Sequence, residues 1–169
     1  MNDKLFEIIL VSGEDQIDFL QGQITQDIEK INTSSIRNGA FCNPKGRVIS
    51  TCQLFKMQSA IAIIIPQSMA EPLIKRLNLY KLRSKVSIEK SSQISSYCIK
   101  NNELFNEVTT ISHKLPRTDH SEVIGDFKSD NFFLTALEWR EVRVKNGIID
   151  IDIKNSEKFT PHMLNLDLT

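Results

Sequence analysis

Phe19-Leu-Gln-Gly-Gln-Ile-Thr-Gln-Asp27 and, a little further on, Phe41-Cys-Asn-Pro-Lys-Gly-Arg-Val-Ile49 are the stretches on which the reading of this chain turns. The first holds too many amides and too few charges for an ordinary solvated helix, and it places Gly22 where a helix former would be more stable by about 1 kcal/mol. The second is an Asn-Pro-Lys-Gly turn between two β-prone runs, with Gly46 suited to positive φ and Lys45 and Arg47 flanking it. On spacing alone, a hairpin connection is the plainer reading of this turn. The functional alternative is an anion-facing loop, in which two cations beside exposed amides receive a carboxylate or phosphate.

Working outward, Leu5 to Val11 is apolar and β-branched and reads as a first strand, bounded by Ser12-Gly13. Ser12 is expected to cap a helix, with Asp15 three residues on and Ile17, Leu20 and Ile24 along one face. Ile36 to Cys42, Arg47 to Met57 and Ala60 to Pro66 read as a meander of strands, the last two joined by Gln58-Ser59. Gln67 to Leu79 has Met69, Leu73, Ile74 and Leu77 at helical spacing. Pro72 is tolerable there only in a first turn, so the helix is expected to start near Glu71.

Val86 to Glu89 and Ser95 to Lys100 read as two more strands, whereas Asn101 to Phe127 is mixed and polar and supports no assignment. Asn131 to Thr135 reads as a strand, and Leu137 to Asn146 as a short helix stopped by Gly147. Ile148 to Ile153 alternates Ile with Asp, the period of a half-buried strand. With no repeat, no low-complexity tract and no Gly/Ser linker, residues 1–169 are expected to form a single α+β domain.

The 169 residues are enough to bury roughly two thirds of the unfolded chain's surface without a disulfide or metal. Lys+Arg and Asp+Glu are equal at 21 each, so no global field draws the chain to nucleic acid or an anionic membrane, although a local patch is compatible with that balance. Neither direct nucleic-acid binding nor a membrane partner is expected. Cys42, Cys52 and Cys98 lack Cys-x-x-Cys spacing, and no charged, apolar leader precedes Leu5, so reduced thiols acting as small hydrophobes in a cytoplasmic setting are expected. Ala60 to Pro66, the longest apolar run, is far short of the roughly 20 residues of a membrane helix.

Nucleotide-binding, metalloprotease and serine-hydrolase signatures are all missing, and His113, His120 and His162 lack metal-ligand spacing. What remains is a set of aromatic and amide groups able to hold a flat heterocycle. Trp139 stands four residues before Arg143, so on a helix the indole and guanidinium share a face. A lone Trp at helical spacing also fits a core role, because it buries so much apolar area.

Taken together, Val11-Ser-Gly-Glu-Asp15, the two opening stretches, Tyr80-Lys-Leu-Arg-Ser-Lys-Val86, Trp139 with Arg143-x-x-x-Gly147, and Phe159-Thr-Pro-His-Met-Leu-Asn-Leu-Asp167 resemble the folate-binding proteins of the YgfZ type, relatives of the glycine-cleavage T-protein, an aminomethyltransferase. The resemblance implies a T-protein-like α+β folate-binding domain of two interleaved β/α sub-units around a cavity. It also implies tetrahydrofolate or a one-carbon derivative as cofactor, and a role in maintaining iron–sulfur enzymes, including those that modify tRNA. It assigns cofactor binding to Trp139 and to an aromatic at the place of Phe6, whose rings would face a pterin or benzoyl group. Arg143, Lys45 and Arg47 complete the candidate site, with no catalytic or metal residue.

Three departures qualify the carry-over. The family's Lys-Gly-Cys-Tyr-x-Gly-Gln-Glu signature is expected soon after the Asn-Leu-Asp segment, and residue 169 comes before it, so the domain is expected to be C-terminally incomplete, without the small β-barrel that follows in the family. Relatives often carry a glutamate where this chain has Lys145, which only donates hydrogen bonds, so another carboxylate must serve a pterin's N–H groups. T-proteins carry an Asp-Asp pair where this chain has Ser50-Thr51, and a hydroxyl supplies neither the charge nor the basicity of a carboxylate. The expectation is therefore a folate-binding accessory protein without aminomethyl transfer. The alternatives are a folate-dependent one-carbon transferase and a degenerate interaction module with an exposed sheet edge.

Overall fold

Seven apolar residues in a row, Ala60–Pro66, form a strand buried along its whole length, and the architecture follows from the need to cover both its faces. The computed structural model describes residues 4–100, 109–127 and 133–166. Strands β1 (Phe6–Ser12), β2 (Arg37–Cys42), β3 (Val48–Lys56), β4 (Ala60–Pro66) and β5 (Ser87–Lys90) form one antiparallel sheet in the order β2-β3-β4-β1-β5. Strands β6 (Ser95–Lys100), β7 (Thr109–Leu115) and β8 (His120–Gly125) form a second, ordered β6-β8-β7.

The two faces of the larger sheet feed two cores. Ile9 and Val11 of β1 and Ile61, Ile63 and Ile65 of β4 pack with Leu20, Leu73 and Leu77 from helices α1 (Gln16–Gln21) and α2 (Ala70–Tyr80). Phe6, Ile8, Ala62 and Ile64 point the other way, onto Cys98, Ile111 and Ile124 of the second sheet and onto Trp139 and Val142 of α3 (Ala136–Lys145). A β1–β4 register pairing Ile8 with Ile64 and Ile9 with Ile63 puts like faces together. Each fully buried Ile is worth roughly 1.5–3 kcal/mol, so a one-residue slip would be prohibitive.

Several expected elements differ. The helix expected from Ser12 begins at Gln16, because β1 runs through Ser12 and Gly13 turns at φ +118, where an added Cβ would meet the Lys85 carbonyl at 2.2 Å. Asp15 takes the N-cap position of α1, but its side chain makes no cap hydrogen bond; its Oδ2 accepts the Lys85 amide at 2.7 Å instead, and Ile24 lies beyond the helix in a bridge to Phe41. Helix α2 begins at Ala70, which leaves Pro72 in the first turn as expected.

Phe133–Thr135 is not a strand; Thr135 caps α3 in a reciprocal capping box with Glu138. Residues 131–132 of that expected strand, and Asp167 of the C-terminal segment, lie outside the described residues. Gly147 follows α3 at φ +73, as the helix stop requires. The strand expected at Ile148–Ile153 is absent. The Ile151 amide donates to Thr51 Oγ1 at 2.9 Å and the Ser50 hydroxyl donates to the Ile151 carbonyl at 3.0 Å, so side chains of β3 replace the ladder. Within Asn101–Phe127, where nothing was assigned, β7 and β8 form a hairpin.

The amide-rich stretch at residues 19–27 closes a sheet edge. Thr25 exchanges hydrogen bonds with Ala40 through its amide and its hydroxyl, and Gln26 Nε2 donates to the Asn38 carbonyl at 2.8 Å, so β2 is not left open. Gln21 Oε1 accepts the Ile28 amide at 2.8 Å. The cysteines behave as hydrophobes: Cys52 and Cys98 are buried, and burial pushes the Cys98 thiol up to about 12.

Candidate functional site

Helix α3 brings Trp139 and Arg143 onto one face, as the four-residue spacing predicts, and both reach the same carboxylate. Glu122, in the middle of β8 and 1% exposed, accepts Trp139 Nε1 at 2.9 Å and Arg143 Nη1 on Oε1, and Gln53 Nε2 at 3.0 Å on Oε2. Arg143, itself buried, closes the network by a two-pronged pair with Asp150, Nε to Oδ2 at 2.8 Å and Nη2 to Oδ1 at 2.7 Å. Burial alone would raise the Glu122 carboxyl, but the charge of Arg143 and the hydrogen bonds from Gln53, Trp139 and Arg143 outweigh it and hold the group below its ordinary value. Burial likewise opposes the Arg143 charge, and the two carboxylates more than restore it.

Phe6 joins this network from β1. The Arg143 guanidinium lies 4.5 Å from the Phe6 ring centre, and Trp139 meets Phe6 in an edge-to-face contact at 4.9 Å. A cavity of about 220 Å³ opens beside them, lined by Phe6, Thr51, Gln53, Arg143 and Asp150 together with aliphatic walls from Ile64, Ile149 and Leu164. Trp139, expected to present its ring to a ligand, is 3% exposed and stands behind Phe6, away from the cavity lining. Its indole N–H is spent on Glu122. The cavity therefore offers hydrogen-bonding edges and aliphatic faces. Its volume is below the roughly 300–1,000 Å³ of pockets that enclose a drug-sized ligand, which suits one flat ring system.

Lys45 and Arg47 are not part of that cavity. They border a separate, open depression with Asn43, Pro44, Arg76, Glu157 and Lys158. Arg47 and Gln53 stand six residues apart around β3, roughly 20 Å at strand spacing. Nor are the turn's amides open to an anion. Asn43 Oδ1 accepts the amides of Lys45 at 2.9 Å and Arg47 at 3.0 Å, and the Asn43 carbonyl accepts that of Gly46 at 2.9 Å. Only the side-chain charges remain available. Among the described residues no group of three or more His, Cys, Asp or Glu is placed to hold a metal ion, and no helix is long and apolar enough to cross a membrane.

Sequence reasoning missed Glu122, Gln53 and Asp150. Gln53 was visible as the amide interrupting an apolar strand, and Asp150 as one of the acidic residues alternating with Ile148–Ile153, although its partner is a helix arginine and its segment is not a strand. Glu122 sat in the stretch that could not be assigned. Ser50 and Thr51 are buried, and both hydroxyls are committed to holding residue 151.

No protein-family model matches the chain. The tRNA-modifying protein YgfZ of Hamiltonella defensa subsp. Acyrthosiphon pisum is 26% identical over 189 aligned residues, covering 94% of this chain and 56% of that protein. The tRNA-modifying protein YgfZ of Yersinia pseudotuberculosis serotype IB is 22% identical and covers 94% of this chain and 57% of its own length. The chain is thus similar to the YgfZ proteins along nearly all of its own length. It spans little more than half the length of these YgfZ relatives, and a further YgfZ from Colwellia psychrerythraea is 35% identical over 89 residues, 53% of this chain and 28% of that protein. Among solved structures, the glycine cleavage system aminomethyltransferase T from Bartonella henselae superposes with a TM-score of 0.56 at 12% identity, over 83% of this chain and 43% of that one. At that identity the likeness speaks for the fold alone, and it bears out the T-protein-like α+β class read from the sequence, as the YgfZ relatives bear out the resemblance.

Proposed function

We propose that this chain binds the ring of tetrahydrofolate or a one-carbon derivative in the cavity beside Phe6 and Arg143, as a cytoplasmic accessory in YgfZ-type tRNA modification that supports iron–sulfur enzymes. The observation that carries the reading is the cavity itself: on a T-protein-like fold, it gathers Gln53, Arg143 and Asp150 at the edge of a space sized for one flat heterocycle. The carboxylate required in place of the relatives' glutamate is Asp150, since Lys145 is exposed and only donates. Arg143 uses two of the roughly four lone-pair directions of the Asp150 carboxylate, which leaves acceptor capacity for a pterin's amino and ring N–H groups. Phe6 and the aliphatic walls of Ile64 and Ile149 bound the ring, and Trp139 positions Phe6 without touching the ligand.

The remainder of the folate extends past Ile149, which is 36% exposed at the cavity lip. Aminomethyl transfer is not part of the proposal, because the Ser50 and Thr51 hydroxyls are neither basic nor free. Titration calorimetry with 5-formyltetrahydrofolate tests it. Binding by the native chain, abolished in Ile149→Trp while the melting temperature is preserved, is the expected result; a native chain that takes up no reduced folate removes the ligand from the account.

A further inference from the structure

The balanced totals of the sequence conceal a local cluster of positive charge. Lys45 and Arg47 from the β2–β3 turn, Arg76 from α2 and Lys158 from the C-terminal segment surround one open depression of about 740 Å³, with Glu157 the single carboxylate on its border. Among the described residues none of the four cations is in an ion pair. Two are nevertheless held in place: Arg47 Nη1 donates to the Lys158 carbonyl at 3.1 Å, and Arg76 Nη2 to the Cys42 carbonyl at 3.3 Å. The Arg76 guanidinium lies 4.8 Å from the ring centre of Tyr80, which is 44% exposed. Beyond Tyr80 the chain continues through Leu82, 88% exposed and held at φ +43, to Arg83.

We infer that this strip binds a single-stranded segment of RNA, its phosphates on Lys45, Arg47, Arg76 and Lys158 and an unstacked base against the Arg76–Tyr80 pair. Guanidinium planes and half-exposed aromatic rings beside a basic groove are what a splayed base requires, and carbonyl-anchored arginines lose less side-chain entropy on meeting a phosphate. An acidic peptide would use the four charges and leave the ring idle. The inference goes beyond the folate reading and uses neither Phe6 nor the Arg143 network.

Fluorescence anisotropy of the 169-residue chain with a labelled oligouridylate at 50 and 200 mM salt, without folate, tests it. Four neutralised phosphates predict a log-affinity slope against log salt of about −3. Exchanging Lys45 and Arg47 for Gln should weaken binding at least tenfold and flatten that slope by about 1.4, with Lys158→Gln, on an exposed side chain, as a second and milder probe. Tyr80→Ala should weaken it about tenfold through lost stacking. Ile149→Trp, which fills the cavity, should bind RNA like the native chain, so the two readings fail separately. No binding at 50 mM salt, affinity indifferent to the charge and Tyr80 variants, or equally tight binding of a polyglutamate of the same length would overturn the inference.

Discussion

Two charged regions of this protein sit near the two ends of the same strand, and they put charge to opposite uses. Near the Gln53 end of β3, Glu122 and Arg143 are withdrawn from water as an ion pair inside the fold, and half-buried Asp150 adds a second carboxylate to Arg143 from the cavity side. At the Val48 end, exposed Lys45 and half-buried Arg47 border an open depression, with no carboxylate partner among the described residues. The difference is one of desolvation. A buried charge must be matched within the fold, because its unpaired form costs several kcal/mol, whereas an exposed one contributes little to stability and is left to meet a ligand. The buried network accordingly shapes a cavity, and the exposed cluster presents a surface.

Removing one member of the buried network breaks the comparison most sharply. Glu122→Gln leaves Arg143 without half its compensation and should destabilise the fold by about 3 kcal/mol in urea unfolding. The acid limb should change with it. Glu122 is held below its ordinary value, so its stabilisation is complete above the unfolded-state value and is lost as pH falls through the lower folded one. Native stability should thus hold from neutral pH down to the ordinary glutamate range and decline below it, and Glu122→Gln should flatten that decline. A variant as stable and as acid-sensitive as the native chain would mean that the Glu122 charge is not stabilised by Arg143, Gln53 and Trp139.

Thr51→Val comes next. It deprives the buried Ile151 amide of its acceptor, for a loss of about 2 kcal/mol, and should loosen the segment that carries Asp150. Its readout is faster amide exchange at residues 148–153, and unchanged exchange there would contradict the stapling role. The smallest effect is expected at the surface: Lys85→Ala removes an ion pair with Glu14 whose side chains are 73% and 76% exposed, and the unfolding midpoint should stay where it is.

What the sequence disclosed follows the same division between local and non-local physics. The unbroken apolar run of β4, the helical spacing of Leu73 and Leu77 with Pro72 in the first turn, and the Gly147 stop are all decided by neighbours in the chain, and each was legible. The helix expected from Ser12 failed because Gly13 answers to the Lys85 carbonyl, 72 residues further on. The strand expected at Ile148–Ile153 failed because Ser50 and Thr51 capture residue 151 with side chains, which an alternation of Ile and Asp does not reveal. At the site, the shared face of Trp139 and Arg143 was readable from a four-residue interval. Their common partner was not, because Glu122 is delivered by a hairpin whose strands carry no clear period.

Backbone chemical-shift mapping by nuclear magnetic resonance, with 5-formyltetrahydrofolate titrated into the native chain, tests the central claim most directly. The account predicts saturable shifts confined to Thr51, Gln53 and residues 146–150, with the turn at 43–47 unmoved. Shifts centred on that turn and on Lys158, or no saturable shift anywhere, would contradict it.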